Sequence, residues 1–71
     1  MKAVSKKRLK IIGRLLNIVE EKRSAYLEGM ADFAQIFGTE SEKKFVFELY
    51  NYLSEHGFKN ENISSFVFYD D

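Results

Sequence analysis

The chain has 71 residues, no cysteine, no proline, one histidine and eleven acidic against eleven basic residues. That length expects one small domain over residues 1–71. The composition excludes disulfides, thiolate metal sites and a metal centre built on His56 alone. Met1–Lys10 is too charged for a secretory leader, and no run approaches the ~18 apolar residues of a membrane span. A soluble cytoplasmic protein with no membrane partner is therefore expected.

The chain is 45% hydrophobic and 15% aromatic. A single core of this size supplies only about 3–5 kcal/mol of net stability, so so much apolar surface points to a second chain. The charge is also split. Residues 1–19 hold six bases and no acid, residues 20–38 two bases and four acids, and residues 39–71 three bases and seven acids. The two ends of the chain attract each other, or the basic end has a task of its own.

In chain order, the first predicted helix runs from about Val4 to Arg23. Val4, Leu9, Ile11, Ile12, Leu15, Leu16, Ile18 and Val19 cover a wide apolar arc. Lys6, Lys10 and Arg14 line the opposite face, with Lys7 beside them. Arg8 falls inside the apolar arc, and its stem can carry the charge outward. Gly13 sits in mid-helix.

Ser24 is placed to cap a second helix over about Ala25–Phe37. One long helix running through Ser24 is the alternative. Tyr26, Leu27, Met30, Ala31, Phe33, Ala34 and Phe37 form its predicted apolar face. Glu28, Asp32 and Gln35 form the polar one.

Gly38 ends that segment and Thr39 opens the next at once, so the two helices meet at a tight corner. Thr39-x-x-Glu42 has capping-box spacing. Gly57 stands where a helix stops in a glycine conformation, with Phe58 placed to contact Leu53. Phe45, Val46, Leu49, Tyr50, Tyr52, Leu53 and His56 share one broad face of the helix between them. Phe47 alone breaks the pattern, on the polar side.

After the polar turn at Lys59–Asn62, Ile63–Tyr69 is β-branched and aromatic, which reads as a strand. A helix capped by Asn62 is the alternative. The fold class expected is all-α: a small three-helix bundle with an extended or short β-strand C-terminal tail.

The functional candidates follow from these faces. Lys6, Lys7, Lys10 and Arg14 are the candidate phosphate contacts, against the plainer reading of a solvated helix face. Phe47, Phe66, Phe68 and Tyr69 are the candidate protein interface, since buried aromatics are common anchors. Phe47 also reads as a core residue. His56 reads as a cap on helix-end carbonyls. No nucleophile–base pair, carboxylate pair or Gly-rich phosphate loop is spaced for catalysis.

Phe33-Ala34-Gln35-Ile36-Phe37-Gly38 resembles the end of the first helix and the turn of a helix-turn-helix motif. The resemblance covers about a third of the chain and implies DNA contact by the helix that follows. That helix departs from the pattern. Lys44 stands where a buried aliphatic belongs, and Glu40 and Glu42 sit at the end meant to approach DNA.

The function expected is thus non-enzymatic: an interaction or adaptor protein acting by binding, as a homodimer and with a further protein partner. The alternative is a small nucleic-acid-binding regulator. No cofactor is expected.

Overall fold

A computed structural model describes residues 6–69, and the side chains of residues 6–66. The fold is all-α, as the sequence leads one to expect, but it has four helices among the described residues. These are α1 (Lys6–Leu16), α2 (Glu20–Phe37), α3 (Glu40–His56) and α4 (Asn60–Tyr69). The N-terminal start expected at Val4 lies outside the described residues.

The first correction concerns the break between α1 and α2. Helix α1 ends at Leu16, not Arg23, and Ser24 lies inside α2 rather than capping it. Val19 is the residue before α2 and offers no side-chain cap. Glu20 and Glu21 occupy the first turn instead, where the helix dipole favours acids. The last turn of α1 tightens, with Ile18 N–H donating to the Leu15 carbonyl at 3.1 Å.

Arg23 explains why the break is stable. It is 5% exposed, the one buried charged residue among those described. Its Nε donates to the carbonyls of Leu15 at 3.0 Å and Ile18 at 2.9 Å. Its Nη2 donates to Leu16 at 3.3 Å. The Leu15 carbonyl thus accepts a second bond beside that from Ile18 N–H, the Leu16 and Ile18 carbonyls lie at and past the helix end, and a guanidinium can take several acceptors at once. A continuous helix through Arg23 would have no use for it.

The α2–α3 corner is as tight as the sequence implies. Gly38 N–H donates to the Ala34 carbonyl at 2.8 Å. A Cβ on Gly38 would stand 2.7 Å from that same oxygen, so glycine is needed for the close approach. Helix α3 then begins with the expected capping box. Glu42 N–H donates to Thr39 Oγ1 at 3.2 Å, and Thr39 N–H donates to Glu42 Oε1 at 3.0 Å.

The far end of α3 also closes as expected. Gly57 has φ 111°, a conformation that favours glycine, and its N–H reaches the Leu53 carbonyl at 2.7 Å. Phe58 is half-buried, with its ring 6.3 Å from that of Tyr50. Its carbonyl accepts from Arg23 Nη1 at 2.7 Å, which ties the α3–α4 turn back to the start of α2.

The second correction is the C-terminal segment, whose backbone is helical from Asn60 to Tyr69. A strand would send Ile63 and Phe66 to opposite sides. Helical spacing puts them on one side, and both are buried in the core. Asn62 does not cap α4; its Nδ2 donates backward to the carbonyls of His56 at 3.0 Å and Gly57 at 3.1 Å.

The core gathers one face of each helix: Ile12 and Leu15, Leu27 and Ala31, Phe45, Val46, Leu49 and Leu53, Ile63 and Phe66. Helix α3 is its centre, packing along α2 on one side and α4 on the other.

Candidate protein-interaction surface

Toward its C-terminal end helix α2 turns its small residues inward and its large ones outward. Leu27, Ala31 and Ala34 are buried. Phe33, Ile36 and Phe37 are 64%, 75% and 71% exposed. This corrects the expected apolar face, which put Phe33 and Phe37 in the core. The buried side of α2 is the one that carries Leu27, Ala31 and Ala34, and at 100° per residue Phe33, Ile36 and Phe37 fall on the other.

The Phe33 and Phe37 rings pack against each other, centroids 5.0 Å apart and planes tilted by 39°. At 100° per residue, Gly29, Phe33, Ile36 and Phe37 lie along one outward strip. Three side chains of this size, mostly uncovered, present on the order of 400 Å² of apolar surface. Patches of that size on single chains are often functional. Leu9 and Leu16 on α1, and Val19 at the turn, add further exposed aliphatics.

The candidate interface residues fall elsewhere. Phe66 is buried, its ring 5.8 Å from Phe45 and 5.4 Å from Tyr52. It fills the core of its own chain. Phe47 is half-buried and packs against that core. The side chains of Phe68 and Tyr69 lie outside the described residues. What the sequence reading missed is Ile36 with Phe33 and Phe37. The signal was the alternation of bulky residues with Ala31 and Ala34, small enough to be the contact side of a close helix pair.

The candidate phosphate contacts stand together as an exposed basic face on α1: Lys6, Lys7, Lys10 and Arg14. Lys7 Nζ also lies 3.6 Å from Glu42 Oε2, so α1 meets the N-terminus of α3 through an exposed ion pair. Thr39 and Lys7 together hold the Glu42 carboxyl below its ordinary value of 4.5; the hydrogen bonds from Thr39 contribute most, the lysine charge next. Arg8 places its guanidinium 4.9 Å over the Phe45 ring, a cation–π contact at the core's edge.

His56 stacks on Tyr52, ring centres 4.2 Å apart, with Nδ1 2.9 Å from the Tyr52 carbonyl. It serves the last turn of α3. Among the described residues no group of three His, Cys, Asp or Glu is placed to hold a metal ion. None of the described helices is long and apolar enough to cross a membrane. At the helix-turn-helix corner, Ala34 is buried as that motif requires, while Lys44 points outward and pairs with Glu48 at 4.0 Å. The second helix is thus rotated relative to the motif.

Comparison with protein-family models, curated proteins and solved structures gave no match for this chain.

Proposed function

We propose that this chain is a non-enzymatic interaction module that acts by binding protein, first of all a second copy of itself. One observation carries the reading: the paired, outward Phe33 and Phe37 rings with Ile36 beside them. In the last turns of α2 the chain leaves Phe33, Ile36 and Phe37 in water while burying Ala31 and Ala34, an arrangement that costs a monomer and suits a partner. A symmetric dimer is the commonest remedy for such a face.

Sedimentation equilibrium at micromolar concentration tests it. The wild type is expected at twice 8.3 kDa, and a Phe33→Ser, Phe37→Ser chain at 8.3 kDa with unchanged helical circular dichroism. A wild type that stays at 8.3 kDa across the range overturns the self-association.

A second reading is favoured by the exposure of Lys6, Lys10 and Arg14 on one face of α1: a regulator that contacts nucleic-acid phosphates. Affinity for arbitrary duplex DNA would then fall with salt at a log–log slope of about −3, roughly one phosphate per base. Salt-independent or absent binding removes this reading and leaves the first untouched.

A further inference from the structure

We infer that the second copy docks with its α2 against α1 of the first, the two helices parallel, and that a two-fold axis makes the contact twice. This rests on the self-association proposed above and specifies its geometry.

On α1, Leu9, Gly13 and Leu16 are all exposed and fall within roughly 60° of one another at 100° per residue. Lys6, Lys10 and Arg14 border that strip on one side only. On α2, the strip of Gly29, Phe33, Ile36 and Phe37, in line with the exposed Lys22 at the helix's first turn, is bordered on one side only by the acids Glu21, Glu28 and Asp32, all exposed. One face is apolar with a basic edge, the other apolar with an acidic edge. Complementary charge around an apolar centre is the pattern that sets partner and register at an interface.

The handedness of the helix fixes the direction. Viewed from the N-terminus, successive residues turn clockwise. In that sense α1 presents its apolar strip and then its bases; α2 presents its acids and then its apolar strip. Two parallel helices set face to face turn past each other in opposite senses. The basic edge of α1 therefore meets the acidic edge of α2. An antiparallel pair would place the two edges on opposite sides of the contact.

The areas agree. The α2 patch alone presents about 400 Å², while a stable interface buries about 800 Å² per partner. Adding the α1 strip and both charged edges approaches that figure. Two-fold pairing uses both faces of each chain, so neither is left over. Gly13 and Gly29 have nothing within 4 Å of a would-be Cβ, which leaves both strips open to a close approach.

Charge exchange tests this. One chain carries Lys6→Glu, Lys10→Glu and Arg14→Glu; the other carries Glu21→Lys, Glu28→Lys and Asp32→Lys. Each alone is expected to dimerise at least tenfold more weakly than wild type by sedimentation equilibrium. Mixed, they are expected to regain near wild-type affinity as a heterodimer. A control chain with Glu48→Lys, Glu55→Lys and Glu61→Lys is expected not to rescue the first. Equal rescue by the control overturns the pairing, as does a homodimer indifferent to both reversals; self-association stands in either case. A monomeric wild type instead removes self-association itself. Assemblies growing past the dimer overturn the two-fold arrangement. Should a reversed chain lose its helical circular dichroism, Lys6→Gln, Lys10→Gln and Arg14→Gln replace it. Raising salt from about 50 to about 500 mM should then weaken the wild-type dimer severalfold and the neutral chain hardly at all. The same salt response in both overturns the pairing.

Discussion

Arg23 Nη1 donates to the carbonyl of Phe58 at 2.7 Å across 35 residues of chain, while its Nε binds the carbonyls that end α1. One buried side chain thus joins the α1–α2 turn to the α3–α4 turn. Among the described residues no acid forms an ion pair with it. Its charge is met by four main-chain oxygens, three of them from the C-terminal end of α1 and the turn after it, where the helix dipole favours a cation.

Arg23→Met is therefore expected to destabilise the fold by about 3 kcal/mol, because the carbonyls lose charge-assisted bonds and stay partly buried. For a domain this small that is a large share of the total. Arg23→Lys is expected to recover less than half, since an ammonium cannot fork across four acceptors. Urea denaturation followed by circular dichroism checks both. A near-neutral Arg23→Lys would mean that charge alone, not the fork, holds the two turns.

Both ends of α3 are expected to answer to single substitutions. Thr39→Ala removes the acceptor for Glu42 N–H and should cost about 1 kcal/mol. Gly57→Val forces a branched side chain into φ 111° and should cost at least as much. The measurement is the urea midpoint at constant slope. If neither midpoint moves, the ends of α3 do not contribute to stability as their geometry implies.

Helix α3 is legible in the sequence because each of its ends is marked within four residues: Thr39 with Glu42, and Gly57. The start of α2 is not legible, because a contact sets it that lies outside any local window. Arg23 binds residues 15, 16, 18 and 58, and nothing around Ser24 reveals that. The strand expected at Ile63–Tyr69 fails for a similar reason. β-branched and aromatic residues favour strands only as a tendency, and burial of Ile63 beside Phe66 overrides it. The outward Phe33 and Phe37 lie beyond hydrophobicity alone, which cannot say which of two apolar sides of a helix meets its neighbour. Lys6, Lys7, Lys10 and Arg14 stand exposed as the periodicity indicates. The placement of a charged helix face follows from spacing, whereas an aromatic is placed by what packs against it.

Acid should act through Glu42. Thr39 and Lys7 hold its carboxyl below 4.5 in the folded state, so the folded state binds its proton less readily than the unfolded chain does. Its contribution is complete above that ordinary value and is lost as pH falls through the lowered one. Glu42→Gln should therefore flatten the acid limb of the stability–pH curve and leave the slope above pH 5 unchanged, roughly one unit past the ordinary carboxylate range. Urea midpoints taken between neutral pH and strong acid check this. An acid limb equally steep in the variant would assign the effect to other carboxylates.

Two glycines of α2 and its end are expected to respond in opposite ways to alanine. Gly29 lies inside α2, exposed, with nothing within 4 Å of where a Cβ would stand. Gly29→Ala should stabilise the isolated chain by about 1 kcal/mol through helix propensity alone. Gly38 also has a negative φ, −81°, but its would-be Cβ stands 2.7 Å from the Ala34 carbonyl and 3.0 Å from the Ala34 Cα. Both are main-chain atoms at the C-terminal end of α2, so they yield only if the α2–α3 corner opens. Gly38→Ala should therefore destabilise, by about 1–3 kcal/mol for a clash that the packed helices must absorb. Measured in the monomeric Phe33→Ser, Phe37→Ser background, the two substitutions should shift the urea midpoint in opposite directions. A stabilising Gly38→Ala would mean that the corner relaxes freely and that glycine is not needed there.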